Sequence, residues 1–192
     1  MKLLTLLTSV LLGCLFTANP NPVIVHKISA EANKRATPIN GKVLPIGTVY
    51  IIIDKSDYEL NVYDDIGWYA TYPVVFGNSN LDDKKMAGDR CTPEGEFHVV
   101  SKKIHDKWDR FMALDYPTKD SYDKFRLRKE RGEIPADAKI GGGVGIHGTW
   151  PHDDYIIDNY KNWTNGCISM KNKDVEDLYS YLGVGTRVTI KK

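Results

Sequence analysis

Short runs of β-branched and aromatic residues dominate residues 48 to 75, and they constrain the fold more than any other feature. The runs "TVYIIID" (48–54) and "YELNVYD" (58–64) are separated only by "KSD". This arrangement predicts a β-hairpin, because a short polar connection lets two strands pair antiparallel. A third strand is predicted at "WYATYPVV" (68–75), after the turn "DIG".

The rest of the chain continues the strand-rich pattern. After a glycine-rich loop at 76–95, further strands are predicted at 96–104, 110–116, 143–148 and 186–192. Short strands outnumber helices, so the sequence predicts a mainly β fold with a sandwich-like core and a few short helices.

Two helices are predicted. One lies within Lys119–Arg131, where the charged run "KFRLRKER" is interrupted by apolar residues and is typical of a solvated helix face. The other covers 173–182, with Asn172 as its N-cap and Gly183 as its stop. We expect the segment between Ile104 and Ile140 to be an excursion that folds over a cleft.

The first 45 residues have the composition of a leader and a linker. Residues 1–18 are predicted to be a secretory signal peptide, because the apolar stretch Leu3–Leu12 is too short to span a bilayer. "LLGC" resembles a bacterial lipobox ending at Cys14, whose acylation would tether the protein to a membrane; cleavage after Ala18 is the alternative. Residues 19–45 are polar and dotted with proline, as in a linker. The sequence therefore predicts an exported, envelope or periplasmic protein with one domain at 46–192.

Composition excludes some classes of function. The 26 basic and 25 acidic residues leave a formal net charge of +1, which argues against a nucleic-acid-binding protein. Besides Cys14, the chain has only Cys91 and Cys167, too few for a disulfide framework. Cys91 is interpreted as an inert small residue, which leaves Cys167 as the cysteine whose role needs an explanation.

The segment 145–170 contains the residues that could take part in catalysis. Cys167 follows a glycine that permits a tight turn, in which the N–H groups of Gly166 and Cys167 can converge on an oxyanion. A free thiol is a weak nucleophile at neutral pH and needs a base, and His147 precedes it on a strand end beside Gly148. On the residues alone, a catalytic dyad and two separate structural roles both remain open.

A metal site is the other chemistry that these residues allow. Ligand types occur at His147, His152, Asp153, Asp154 and Cys167. Their spacing matches no compact metal motif, so no metal site is predicted.

The order of several motifs resembles the L,D-transpeptidase (YkuD-type) family. "IHGT" (146–149) is followed by "TNGCISMKNKD" (164–174), where the family has His-Gly and then Ser/Thr-His-Gly-Cys with a downstream Asn-x-Asp. Upstream, "YPVVFG" (72–77) and "GDRCTPEGEF" (88–97) resemble the family's strand and Thr-Pro-x-Gly element, and "GTRVTI" (185–190) resembles its closing strand.

The resemblance implies a fold and a reaction. The family has a β-rich catalytic domain that cleaves a peptidoglycan tetrapeptide stem before its terminal D-amino acid and forms a thioester on the cysteine. An amine on another stem or on a protein then takes the acyl group, and no cofactor is needed. Carried over, Cys167 is the nucleophile, His147 the general base, Gly148 shapes the turn, and Gly166 and Cys167 supply oxyanion donors.

Two positions depart from the family pattern. Asn165 stands where a second histidine is usual; it can replace that histidine by hydrogen bonding but cannot change protonation state. Ser169 stands where an arginine is usual and lacks its charge and bidentate reach. The candidate contacts to substrate are Thr164, Ser169, Trp150 and Tyr155, although a turn threonine and packed aromatic residues would explain three of them without a substrate.

Three rival functions remain open at the level of sequence. An L,D-carboxypeptidase or amidase would use the same two residues and pass the thioester to water. A non-catalytic wall-binding module would use neither, and a metal-dependent hydrolase would tolerate loss of the thiol. The expected partners are peptidoglycan stem peptides and a membrane reached through Cys14.

Overall fold

The structure is a computed structural model that describes residues 43–192; the signal peptide, the lipobox and all but the last residues of the linker lie outside the described part. The fold is mainly β with few helices, as predicted. Its eight strands are β1 (Tyr50–Asp54), β2 (Glu59–Asp64), β3 (Gly67–Pro73), β4 (Gly95–His105), β5 (Asp109–Leu114), β6 (Gly145–His147), β7 (Ile168–Ser169) and β8 (Arg187–Lys191).

All eight strands belong to one curled sheet, with the order β3-β2-β1-β8-β4-β5-β6-β7. The predicted hairpin is β1–β2, and its turn is held by the Asp54 carboxylate, which accepts from the N–H groups of Ser56 and Asp57. Most pairs are antiparallel, but β8 runs parallel to β1 and β7 runs parallel to β6. The sheet is therefore mixed, and the last strand of the chain, β8, lies between β1 and β4 rather than beside β7, its neighbour in sequence.

Strand β4 turns the sheet upon itself. Its first residues, 95–98, pair with β8, and its later residues, 99–105, pair with β5, with a register shift between Val99 and Ser101. A bulged strand bends and twists more strongly than a regular one. Past the end of β3, Val75 exchanges two backbone hydrogen bonds with Ser169, of 2.8 and 2.9 Å, so the two ends of the sheet approach each other.

Residues 43–192 also form three helices, α1 (Lys119–Glu130), α2 (Tyr155–Asp158) and α3 (Asn172–Tyr181), of which α3 packs against β5 and β6. Helix α1 has no buried residue, in agreement with a solvated helix at this position. Helix α2 was not predicted, because its single turn "YIID" is too short to show a periodicity. Within residues 43–192, none of the helices is both long and apolar enough to cross a membrane.

Helix α3 begins differently from the prediction. Lys171, not Asn172, is its N-cap, and it has extended backbone angles and no side-chain cap. Asn172 is the first helical residue, and its side chain instead accepts a hydrogen bond of 3.0 Å from the Thr149 N–H. Leu182 is the C-cap, so the helix stops before Gly183 as predicted. The asparagine thus ties the start of α3 to the segment after β6.

The segment between Ile104 and Ile140 has two structural parts. Its first part is the turn between β4 and β5 and the strand β5, which contribute Trp108 and Phe111 to the pocket described below. Its second part is α1, which does not line that pocket. Instead, the helix is held to the loop before β4 by an ion pair of 2.6 Å between Arg128 and Asp83. The expected cover over a cleft is therefore provided by the β4–β5 turn.

Candidate active site

The pairing of β6 with β7 brings His147 and Cys167 together. In this parallel pair Ile146 lies opposite Ile168, and both side chains are fully buried. His147 is the last residue of β6, and Cys167 is the residue that precedes β7. The pairing continues past the strands, because the Met170 N–H donates to the His147 carbonyl at 3.0 Å. Two residues that are distant in sequence therefore reach the same end of the sheet.

His147 and Cys167 line one pocket of about 270 Å³. The pocket wall is largely aromatic. Among the described residues that line it, His147 and Cys167 are the only ones whose side chains can ionise. Its lining residues are Trp108, Phe111, Gly143, His147, Trp163, Thr164, Asn165 and Cys167.

Hydrogen bonding fixes the tautomer of His147. Its Nδ1 atom lies 2.7 Å from the Gly148 carbonyl oxygen. A carbonyl can only accept a hydrogen bond, so Nδ1 carries the hydrogen and Nε2 keeps its lone pair. The His147 ring is 2 % exposed and contacts the rings of Trp108 at 4.8 Å and Trp163 at 5.6 Å between centroids. These contacts hold the imidazole with its basic nitrogen available.

Burial sets the protonation state of both groups. Desolvation lowers the pKa of His147 to about 4, against the opposing effect of the hydrogen bond to Gly148. Desolvation also raises the pKa of the Cys167 thiol above its ordinary value, although the Gly145 N–H and the Lys84 ammonium oppose the rise. At neutral pH the resting site is therefore a neutral imidazole and a neutral thiol, and the Cys167 Sγ lies 3.5 Å from the Gly143 carbonyl.

Thr164 organises the loop that carries the thiol. Its hydroxyl donates to the Cys167 carbonyl at 2.8 Å and accepts from the Gly166 N–H at 3.1 Å. The Gly166 N–H, expected to donate to an oxyanion, is therefore already engaged, and this expectation is corrected. Thr164 itself is buried and lines the pocket, so its side chain holds the loop of residues 164–167 from the pocket side.

Gly166 is required by its backbone and its neighbours. Its φ is +123°, and a Cβ at this position would lie 2.7 Å from the Cys91 carbonyl oxygen. The backbone of Cys91 thus packs directly against the loop of residues 164–167. Cys91 is itself a buried free thiol, and Cys167 is also free.

Ser169 does not reach the pocket, which corrects its expected role as a substrate contact. Its side chain is fully buried, and its hydroxyl donates to the Gly148 carbonyl at 3.3 Å. The same carbonyl accepts from His147 Nδ1, so Ser169 contacts the group that orients the base. Position 169 points into the protein because β7 is buried on both sides.

Gly148 leaves no room for a side chain. An added Cβ would lie 2.2 Å from Asn172 Oδ1 and 2.9 Å from the Trp108 carbonyl oxygen. The Gly148 N–H donates to that same Trp108 carbonyl at 3.0 Å. The glycine therefore lets the β4–β5 turn pack against the residues that follow the histidine, in keeping with its expected role in shaping this turn.

The other candidates occupy different surroundings. Asn165 is exposed and lines the pocket. Trp150 is 39 % exposed and packs edge-on against Trp108, and Tyr155 is 54 % exposed beside Lys161. Neither Trp150 nor Tyr155 lines the pocket, so their expected substrate contact is not supported by their position.

Sequence reasoning missed two aromatic walls of the pocket. Trp108 and Phe111 flank the start of β5, inside the segment treated as an excursion. The signal was the short interval "HDKWDRF" (105–111), in which aromatic residues follow a tight polar turn. No cluster of three or more side chains suited to a metal ion occurs among residues 43–192.

Comparison with known proteins identifies the family. The family model described as the L,D-transpeptidase catalytic domain, YkuD, matches residues 48–190. The protein named "Putative L,D-transpeptidase YqjB" from Bacillus subtilis (strain 168) is 33 % identical over 155 residues, covering 80 % of this chain and 76 % of that protein. The chain therefore belongs to the L,D-transpeptidase catalytic domain family.

Solved structures share the fold. The helical cell shape determining protein Pgp2 from Campylobacter jejuni superposes with a TM-score of 0.56 at 23 % identity, over 88 % of this chain and 55 % of that chain. An L,D-transpeptidase from Mycobacterium smegmatis gives a TM-score of 0.50 at 14 % identity, over 75 % of this chain and 58 % of that chain. The chain thus spans little more than half the length of these structures.

The close packing at Gly166 predicts a steric penalty beyond that of its backbone angle. Gly166→Ala should lower the free energy of unfolding by about 3 kcal/mol, because the new methyl group meets the Cys91 carbonyl. Gly132→Ala is the matched control, since Gly132 also has a positive φ, of +68°, but faces open space. It should cost only about 1 kcal/mol. Urea unfolding measures both, and equal losses would contradict the packing described here.

The lowered pKa of His147 predicts a specific loss of stability in acid. A buried neutral histidine favours folding above its unfolded pKa, near 6.5, and this contribution falls as the pH drops towards the folded value of about 4. Between pH 7.5 and pH 5 the wild type should lose about 2 kcal/mol more than His147→Gln, as followed by urea unfolding at each pH. Parallel pH profiles for the two proteins would show that the histidine is not held neutral.

Proposed function

We propose that this protein is a peptidoglycan-modifying acyltransferase in which Cys167 is the nucleophile and His147 the general base. The observation that carries the proposal is that both residues line one pocket, with His147 Nε2 left unprotonated by the hydrogen bond at Nδ1. Membership in the L,D-transpeptidase family supports a tetrapeptide stem as the donor substrate.

In the first half of the reaction, the thiol attacks the amide carbonyl carbon that precedes the terminal D-amino acid. The thiol proton passes to His147 Nε2 as the carbon–sulfur bond forms, and His147 then returns it to the departing amine as the carbon–nitrogen bond breaks. The products are a thioester on Cys167 and a free D-amino acid. Both groups are neutral before substrate binds, so the thiol proton moves to His147 in the course of this half-reaction.

In the second half, an amine of another stem or of a protein attacks the thioester. His147 takes the proton from this amine, the carbon–sulfur bond breaks, and the thiol is regenerated with that proton. One amide is exchanged for another, so the chemistry requires neither ATP nor a cofactor. A pocket walled by Trp108, Phe111 and Trp163 helps to keep water from the thioester.

The oxyanion formed in each half needs backbone donors. The Gly166 N–H is occupied by Thr164, so the proposal retains the Cys167 N–H as the donor from this loop. Thr164 contributes indirectly, since its hydroxyl fixes the Cys167 carbonyl and with it the orientation of the following peptide.

The location of the substrate completes the proposal. We place the protein in the cell envelope, exported by the signal peptide within residues 1–18, cleaved before Cys14 and tethered through acylation of Cys14, with residues 19–45 as linker to a catalytic domain at 46–192. Such a position gives the domain access to peptidoglycan.

Incubation of the full-length protein with purified disaccharide-tetrapeptide tests the proposal. The expected product is a dimer whose mass equals two monomers minus one D-alanine, detected by mass spectrometry. Cys167→Ala and His147→Ala should reduce its formation by at least about a thousandfold, as loss of a nucleophile or its base does in other enzymes. Cys91→Ser is the matched control for loss of a thiol and should retain activity.

Other products would identify the rivals. Tripeptide without dimer would mean that water resolves the thioester, as in an L,D-carboxypeptidase. Binding of peptidoglycan without any product, unchanged by Cys167→Ala, would indicate a wall-binding module. Activity that survives Cys167→Ala but not a chelator would indicate a metal-dependent hydrolase.

A further inference from the structure

Lys84 is a buried cation next to the loop of residues 164–167. Its side chain is 4 % exposed, and its ammonium forms an ion pair of 2.7 Å with Asp89 Oδ1. Removing an ammonium from water costs several kcal/mol, and a buried ion pair often does no better for stability than apolar residues of similar size. Stability alone is therefore a weak reason for a lysine at this position.

The position of the ammonium suggests a different reason. A Cβ built on Gly166 would lie 3.8 Å from Lys84 Nζ, so the cation lies beside the backbone of the residue that precedes Cys167. The methylene chain of Lys84 packs near Gly141, whose added Cβ would lie 3.5 Å from Lys84 Cε. Lys84 does not line the pocket, so its ammonium lies beside the loop of Cys167 rather than in the pocket itself.

Asp89 holds the lysine in this position through their ion pair. The Asp89 carboxylate also accepts from the N–H groups of Lys85 and Met86 through Oδ2 and of Cys91 through Oδ1. The Lys84 ammonium and three backbone N–H groups therefore all donate to this carboxylate. Desolvation and Asp89 raise the pKa of the Cys91 thiol and Lys84 opposes that rise, and Lys84 also opposes the rise that desolvation causes in the pKa of the Cys167 thiol.

Other groups around Cys167 leave Lys84 as the charge that acts on it. From β6, His147 faces the thiol and is neutral at pH 7. From the loop before β4, Arg90 directs its Nε to the Thr164 carbonyl at 3.3 Å. Among the described residues, the ammonium that lowers the pKa of Cys167 belongs to Lys84.

We propose that Lys84 is an electrostatic positioning residue of this site, whose buried ammonium stabilises the negative charge that develops on Cys167 Sγ and on the substrate oxygen during attack. Charges interact more strongly where water is excluded, so a fixed cation beside the loop acts without touching substrate. Its effect on the oxygen rests on the proposed function, while its effect on the thiol can be measured without any substrate.

Alkylation of Cys167 by iodoacetamide between pH 7 and pH 11 tests this inference, with the modified peptide quantified by mass spectrometry. In the full-length protein, Lys84→Met should raise the pH midpoint by about one unit and slow alkylation at pH 7.5 about tenfold. Lys84→Arg should keep most of the wild-type rate. Lys85→Met, which removes an exposed neighbouring lysine, should leave the profile unchanged.

A second variant keeps the result interpretable if Lys84→Met folds poorly. Lys84→Met combined with Asp89→Asn removes both charges of the pair, and it should show the same raised midpoint. A midpoint equal to that of the wild type in either folded variant would overturn the inference. So would a shift in Lys84→Met that the double variant abolishes, since the unpaired Asp89 would then be its cause.

The experiment separates this inference from the proposed function. A raised midpoint in the lysine variants supports the role of Lys84 even if the wild type makes no dimer or tripeptide from tetrapeptide. In that case only the proposed acyl transfer would fail.

Discussion

The parallel pairing of β6 with β7 is the interaction on which the site depends. These strands are only three and two residues long, yet every one of their residues is buried. Further backbone hydrogen bonds hold them in place. The Met170 N–H donates to the His147 carbonyl, and Ser169 exchanges two hydrogen bonds with Val75 on the other edge of β7. Because β7 is held on both edges, the thiol before it and the histidine opposite it have little freedom to separate.

A second constraint is the exclusion of water from the site. Aromatic rings cover His147, and burial disfavours the charged forms of both the imidazole and the thiol. Both groups are therefore neutral at pH 7. The Lys84 ammonium and the Gly145 N–H are the opposing contributions, both supplied by groups outside the aromatic wall.

The sequence predicted the features that depend on local pattern. Runs of β-branched and aromatic residues indicated β1, β2 and the hairpin between them, and the solvated character of α1 followed from its interrupted charges. The position of His147 and Cys167 in one pocket follows from motif order, which no periodicity alone would have revealed.

The predictions that the structure corrects concern contacts between segments that are distant in sequence. Ser169 was expected at the substrate, but a two-residue strand buried on both faces turns its hydroxyl to the Gly148 carbonyl. Asn172 was expected to cap α3, but its side chain is engaged by the Thr149 N–H across the fold. Trp108 reaches the pocket only because β4 and β5 form a hairpin that folds back onto β6. Such contacts depend on tertiary packing, which a local reading of the sequence does not contain.

The most direct test of the account is to trap the acyl group on the protein. The wild type would be mixed with tetrapeptide, quenched in acid within seconds, digested, and analysed by mass spectrometry. The account predicts an adduct on the peptide that contains Cys167, equal to the stem minus its terminal D-alanine and removable by hydroxylamine as a thioester is. Formation of products with no such adduct, or an adduct on another residue, would contradict it.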